Sequence, residues 1–302
     1  MNRPTRASEA GRAYLDLQNR ARVERRGTQQ LLTLYVVERW LARLSASPHA
    51  DKFVIKGGML LAAYEARRPT ADLDALARWV ANDQNVIMAL VSDIARLPLN
   101  DGVDYQTETA TSRIIRDQAI YSGVRIAMDC AIATAAVRFR LDVNFGDPIT
   151  PPPSRVTLPS LRPGMEPVRI LGYPVETVLA EKIATAIALG PANTRVRDYV
   201  DVYTLTGSQP VAFRTAREAL LATAAHRGTT VQPLSAAIGN IADLRARTFV
   251  AYRASLGDSG LRLPADFLTV VNAVTAFADP LATDAGGVTW QPMERRWNQL
   301  PN

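Results

Sequence analysis

The sequence predicts a mixed α/β lobe followed by a helical lobe. Three observations carry this. In 136–145, Val137, Phe139, Leu141, Val143 and Phe145 alternate with Arg138, Arg140, Asp142 and Asn144, the two-residue period of a strand with one buried and one charged face. The run Asp147–Pro153 holds Pro148, Pro151, Pro152 and Pro153, which continue neither strand nor helix. Beyond it the apolar spacing turns helical over 175–189, 194–205, 210–226, 232–256 and 265–277. Domains 1–150 and 151–302 are expected.

Along the chain, 9–26 reads as a charged helix lying on the surface, with Tyr14, Leu15, Leu17 and Val23 as sparse apolar points. Residues 28–46 form a stronger helix, whose mostly apolar face carries Leu31, Leu34, Tyr35, Glu38, Leu41, Ala42 and Leu44, with Pro48 just past its end. The β-favouring 53–56 runs directly into Gly57-Gly58, and 59–66 reads as a helix. A short strand at 73–76 and a helix at 83–96, capped by Asp83 and closed before Pro98, come next. Strands are expected at 122–132, 136–145 and 168–171. The tail from Asp279, with Pro280, Gly286, Gly287 and Pro292, reads as irregular, its tryptophans docked on the body.

A chain of 302 residues with 47% hydrophobic content buries roughly three-quarters of its unfolded surface and needs no staple. Its single Cys130 forms no internal disulfide, and His49 and His226 are too far apart in sequence to suggest a zinc cluster. A reducing compartment, the cytoplasm, is therefore expected. The basic Arg3, Arg6 and Arg12 are interrupted by Glu9 and Asp16 with no apolar core after them, and no run approaches membrane-spanning length. The formal charge of +6 attracts polyanions, a property shared by nucleotide, nucleic-acid and acidic-surface binders.

Asp72-Leu73-Asp74 on a strand puts two carboxylates on one face. They repel unless protonated or bridged by a cation, and a hard divalent ion with oxygen ligands satisfies them. Alone the pattern equally describes a solvated surface. Gly57-Gly58 before a helix adds a turn that can present backbone N–H groups to phosphates. G-x-x-x-x-G-K-[ST] and G-x-G-x-x-G are both absent, which argues against a P-loop and a dinucleotide fold. Asp142 is a candidate third carboxylate, or a salt-bridge partner of Arg138 or Arg140. Lys182 with Asp198 and Asp201 could handle a triphosphate or staple two helices.

Five blocks then resemble, in order, those of the AbiEii nucleotidyltransferase family, toxins of type IV toxin–antitoxin systems that include the MenT toxins. They are Val54-Ile55-Lys56-Gly57-Gly58-Met59-Leu60-Leu61, Arg68-Pro69-Thr70-Ala71-Asp72-Leu73-Asp74, Leu141-Asp142-Val143-Asn144-Phe145-Gly146-Asp147, Leu179-Ala180-Glu181-Lys182-Ile183-Ala184, and Arg197-Asp198-Tyr199-Val200-Asp201-Val202-Tyr203. The resemblance implies a DNA polymerase β-like nucleotidyltransferase fold with a C-terminal helical lobe. It also implies Mg²⁺ and an NTP co-substrate, CTP favoured with GTP or others possible, and transfer to the 3′ end of tRNA that blocks aminoacylation and translation. Asp72, Asp74 and Asp142 become metal ligands, Gly57 and Gly58 line the nucleotide with Lys182, and Asp198 is the second lobe's conserved aspartate. Met59 departs from the family, which often has Thr or Ser there.

The expected reaction is in-line attack of an acceptor hydroxyl on the α-phosphate of the NTP. Arg12, Arg20, Arg22, Arg25, Arg26, Arg245, Arg247 and Arg253 are candidate RNA contacts. Partners are tRNA and a cognate antitoxin, with no membrane and a monomeric chain. The rival readings are nucleotidylation of a small molecule or a protein side chain, and a catalytically silent RNA- or protein-binding domain.

Overall fold

The computed structural model describes residues 3–68, 70, 72–116, 122–285 and 287–298; Pro69, Ala71 and Gly286, named above, lie outside them. The chain forms two compact units. The first comprises Met1–Ala63, Arg67–Gly146 and Ser154–Gly172, and the second Tyr64–Ala66, Asp147–Pro153 and Tyr173–Asn302. Sequence beyond residue 150 therefore returns to the first unit.

The first unit is built on a seven-stranded mixed sheet. Its strands are β1 (Phe53–Lys56), β2 (Leu73–Ala77), β3 (Val103–Arg116), β4 (Ser122–Ile132), β5 (Ala135–Phe145), β6 (Ser154–Leu158) and β7 (Val168–Gly172), in spatial order β3-β4-β5-β2-β1-β7-β6. The β2–β5 and β1–β7 pairs are parallel, and the other adjacent pairs are antiparallel. The alternation expected at 136–145 is realised in β5: Val137, Phe139, Leu141 and Val143 are buried.

One face of the sheet is covered by helices α2 (Thr28–Ala46) and α4 (Gln84–Ala95). Trp40 of α2 is fully buried, its ring 6.0 Å from Phe53 of β1 and 5.5 Å from Phe139 of β5. Replacing it with alanine would cost about 3–5 kcal/mol in lost burial and cavity. Asp83 caps α4 as expected, accepting from the backbone N–H groups of Asn85 and Val86.

The charged helix expected over 9–26 is present as α1 (Glu9–Val23), and of its expected apolar points Tyr14, Leu15, Leu17 and Val23 only Leu17 is buried. Its buried residues are Gly11, Ala13, Leu17 and Ala21, it packs against α2, and Val23 is 76% exposed. The helix expected over 59–66 is shorter and broken. It opens earlier, as α3 (Gly57–Leu60), and passes into a 3₁₀ turn at Leu61–Tyr64.

The second unit is helical. It contains α5 (Val175–Leu189), α6 (Val196–Ser208), α7 (Phe213–His226), α8 (Leu234–Ile238), α9 (Ile241–Ser255) and α10 (Phe267–Thr283). The helix expected over 232–256 is divided into α8 and α9, because Gly239 at φ +54° leaves the right-handed helical region. The tail is more ordered than expected. Helix α10 continues through Pro280, and β9 (Thr289–Gln291) pairs with both β10 (Arg296–Asn298) and β8 (Val211–Ala212). Trp290 and Trp297 do dock on this unit: the buried indole of Trp290 donates to Thr206 O at 2.7 Å, and that of Trp297 donates to Phe277 O at 3.1 Å. Among the described residues, no helix is long and apolar enough to cross a membrane.

Candidate functional site

The register of four strands assembles the first unit's charged residues into a row. Arg125 of β4 stands opposite Asp142 of β5, Asp142 opposite Asp74 of β2, and Asp74 opposite Lys56 of β1. Side chains at paired positions share a face. Because Phe139 and Leu141 point toward the helix-covered core, Asp142 lies on the opposite face. Asp72 lies in the bend just before β2, its Oδ1 3.8 Å from Nη1 of Arg140, which alternates onto the same side of β5 as Asp142.

The glycine turn and the carboxylates form one construction. Gly57 has φ +67°, a conformation that side-chain-bearing residues rarely adopt. A β-carbon there would also collide with Oδ2 of Asp74, so glycine is required twice, for the turn and for the carboxylate's close approach. At Gly58 a β-carbon would lie 2.9 Å from Arg68 Nη1 and 3.0 Å from Thr70 Oγ1. Thr70 therefore brings a hydroxyl beside Gly58, while Met59 is turned into the core at 2% exposure. A hydroxyl at position 59 would face that same interior.

The donor chemistry fits a hard divalent cation. Oδ1 of Asp72 is shielded from solvent and accepts no hydrogen bond, and Arg140 Nη1 stands 3.8 Å from it. Lacking a hydrogen-bond donor, with Arg140 only as a distant counter-ion and the side chain 39% exposed, this oxygen can accept a cation. Asp142 is engaged differently. Arg125 donates to it through both prongs of its guanidinium, Nε to Oδ1 at 2.6 Å and Nη2 to Oδ2 at 2.5 Å. Its salt-bridge partner is thus Arg125, and not Arg138 or Arg140; Arg138 bridges instead to Asp129. Hydrogen bonding to Asp142 raises the Arg125 pKa further above its usual value, burial opposes this, and the charges of Asp142, Asp72 and Asp74 add to the rise. Among the described residues, no three carboxylate, imidazole or thiol side chains are gathered so as to hold a metal ion by themselves.

In the second unit, Lys182 of α5 donates from Nζ to Asp198 Oδ1 at 2.9 Å and to Asp201 Oδ2 at 2.8 Å, both on α6. Asp198 also meets Arg195 Nε at 3.1 Å. Burial pushes the Asp198 carboxyl up, but the charge and hydrogen bond of Lys182, with Arg195 and Arg197, hold it below its ordinary value. This cluster staples α5 to α6, so the stapling role open from the sequence is present.

Most of the arginines expected as RNA contacts already hold protein groups. Arg12 pairs with Glu9, Arg20 with Glu24, and Arg26 with Glu24 and Gln30. Arg245 donates to the carbonyls of Pro191, Ala192 and Asn193, and Arg253 donates to that of Leu263. Arg22 reaches Asn19 at 3.5 Å, and Arg247 is exposed. Arg125 is the residue that motif reading missed. Its signal lay in the alternation of β4, where Val124, Ile126, Met128 and Cys130 are buried and Arg125 falls between them.

A family model described as "Nucleotidyl transferase AbiEii toxin, Type IV TA system" matches residues 39–273, well over half of the chain. Among solved structures, MenT4, a nucleotidyltransferase toxin from Mycobacterium tuberculosis H37Rv, aligns with a TM-score of 0.50 at 16% identity, over 89% of this chain and 99% of that one. JHP933 from Helicobacter pylori aligns with a TM-score of 0.42 at 14% identity, over 84% of this chain and 92% of that one. No curated protein matches the chain. The MenT4 alignment bears on the fold, and agrees with a nucleotidyltransferase-type sheet joined to a C-terminal helical lobe.

Proposed function

The chain belongs to the AbiEii nucleotidyl transferase toxin family, and from that premise we propose that it transfers a nucleoside monophosphate from an NTP, with CTP favoured, to the 3′ end of tRNA. The observation that carries the reading is the seating of Asp74 against the Gly57 turn, with Asp72 just before the same strand and its Oδ1 lacking a hydrogen bond, Arg140 standing 3.8 Å away.

Asp72 and Asp74 would hold Mg²⁺, which when bound neutralises phosphate charge and orients the triphosphate. The Gly57–Gly58 turn would meet the triphosphate through its backbone N–H groups, with Arg68 and Thr70 beside Gly58 as further donors. An acceptor ribose hydroxyl forms a new P–O bond to the α-phosphorus while the α–β phosphoanhydride bond breaks and pyrophosphate leaves. Asp142, on the same sheet face, is the proposed proton acceptor or third ligand. Lys182 is the proposed nucleotide-handling lysine, oriented by Asp198. Loss of a usable tRNA end would stop aminoacylation, and a cognate antitoxin would restrain the activity in the cytoplasm.

The test is incubation of the full chain with each α-labelled NTP, Mg²⁺ and total tRNA. Label is expected at the tRNA 3′ end, strongest from CTP and lost in Asp72→Ala. Transfer that persists unchanged in Asp72→Ala overturns the assignment; label on a small molecule or on protein moves it to another acceptor.

A further inference from the structure

Arg125 belongs to none of the five sequence blocks, yet it is the cation nearest the third carboxylate. Its guanidinium makes a two-pronged, charge-assisted contact that uses both oxygens of Asp142, and the pair is largely shielded, at 28% and 13% side-chain exposure. Such a fork is among the stronger side-chain interactions, and its geometry leaves little freedom to turn either oxygen elsewhere. On its other side Asp142 faces Asp74 in register across the parallel β5–β2 pair.

Asp142 thus lies between two cationic positions. One is the guanidinium fixed on β4; the other is the ion that Asp72 and Asp74 are proposed to hold on β2. An inner-sphere bond to a hard cation needs an oxygen directed at the ion, and in this arrangement both oxygens are directed at Arg125.

We propose that Arg125 is a positioning residue that competes with the divalent cation for Asp142. With no cation bound, it neutralises Asp142 and relieves its repulsion with Asp74. As the cation enters, Asp142 surrenders at least one of its hydrogen bonds to Arg125 and turns an oxygen to the ion. No covalent bond changes, and one charge-assisted contact is exchanged for another. The affinity of the bare protein for cation is held down by the competition, so that the phosphates of a bound nucleotide are needed to complete the ligand set. This inference rests on the reading of Asp72 and Asp74 as cation ligands.

The experiment measures Mn²⁺ binding, without nucleotide, by electron paramagnetic resonance on the full chain. It uses five proteins: the native sequence, Arg125→Gln, Arg125→Lys, Asp142→Asn and the Arg125→Gln/Asp142→Asn double variant, each checked for a native circular dichroism spectrum. Arg125→Gln is expected to bind Mn²⁺ on the order of tenfold more tightly than the native chain, equivalent to about 1.4 kcal/mol. In the Asp142→Asn background the same substitution is expected to change affinity by less than about twofold, because no carboxylate remains to be released. Arg125→Lys, which keeps the charge and loses the fork, should fall between native and Arg125→Gln. An equal gain in both backgrounds would show a general charge effect and overturn the competition, as would an unchanged or weaker affinity in Arg125→Gln. Native binding that is indifferent to Arg125 defeats this inference alone, whereas no Mn²⁺ binding in any of the proteins defeats the cation reading with it.

Discussion

Asp74 and Asp142 stand directly opposite each other across the parallel β2–β5 pair, two carboxylates at adjacent positions on one sheet face. Like charges so placed destabilise a sheet, and the row offsets them with Lys56 and Arg125 at its ends. Such an arrangement sacrifices stability for charge density.

Asp74→Asn should therefore separate function from folding. Transfer is expected to fall by at least about 100-fold, while the melting temperature in metal-free buffer changes little, because the charge lost opposite Lys56 is offset by relieved repulsion with Asp142. Thermal denaturation with and without Mg²⁺ checks this; a clear loss of stability in metal-free buffer would make Asp74 chiefly a structural residue.

Lys182 bridges two buried carboxylates, and its removal takes that bridge from both, while Asp198 keeps Arg195. Lys182→Ala is expected to destabilise the chain by about 3–5 kcal/mol, read as a lower urea midpoint, in addition to any loss of transfer. The pH dependence has a definite sign. Asp198 has a folded-state pKa below its ordinary value of 3.8, so its stabilising contribution is complete above about pH 4 and disappears as pH falls through the lower folded value. Asp198→Asn should flatten the acid limb of the stability profile, measured between about pH 5 and 2.

Glu38 of α2 is fully buried, where it accepts from Arg39 Nη2 at 2.7 Å, Ser160 Oγ at 3.1 Å and Leu161 N at 2.8 Å. It ties the 160–161 segment to the helix. Glu38→Ala leaves these donors unmatched and is expected to cost about 3 kcal/mol or more, with Glu38→Gln milder because one acceptor survives. Chemical denaturation of the two variants checks the order.

Cys130 on β4 is 2% exposed, and burial pushes its thiol up to about 12. A thiol that is both hidden and protonated is a poor nucleophile. Native protein should resist alkylation by iodoacetamide at pH 8 for hours, and react stoichiometrically once unfolded, as mass spectrometry would show.

The elements that the sequence made legible are those with a one-sided environment or a long apolar stretch. Strand β5 buries one face and presents the other to charge or solvent, so its periodicity reads clearly, whereas α2 is buried nearly all round from Leu34 to Leu41 and is legible by its length and apolar content. The missed strands β3 and β6 are the two edges of the sheet. Val103–Arg116 is mostly polar, with three Thr and two Arg, and only its Tyr105 is a buried hydrophobic. Polar, irregular edges discourage pairing with other chains, and the register shift between Gln106 and Thr111 serves the same end. That protection erases the alternation by which a strand is read.

At the site, motif spacing brought forward Asp72, Asp74 and the glycines, but the partner of Asp142 needed a register. β4 carries Arg125 and Asp129, and β5 carries Arg138 and Asp142, the same Arg-x-x-x-Asp spacing on each. Antiparallel pairing matches each arginine to the opposing aspartate, and both bridges form. Local reading of β5 alone favoured Arg138 and Arg140, which are neighbours in sequence; the actual partner lies across the ladder. The charge complementarity was present in the sequence, and only the register converts it into contacts.

The return of Ser154–Gly172 to the first unit has a practical corollary for anyone cutting the gene. A fragment stopped at residue 150 would lack β6 and β7, depriving β1 of its parallel neighbour and Glu38 of Ser160 and Leu161. It would expose a raw backbone margin beside the Gly57 bend, and self-association in place of a working half-enzyme is the expected behaviour. A fragment meant to keep the sheet whole would have to run through residue 172.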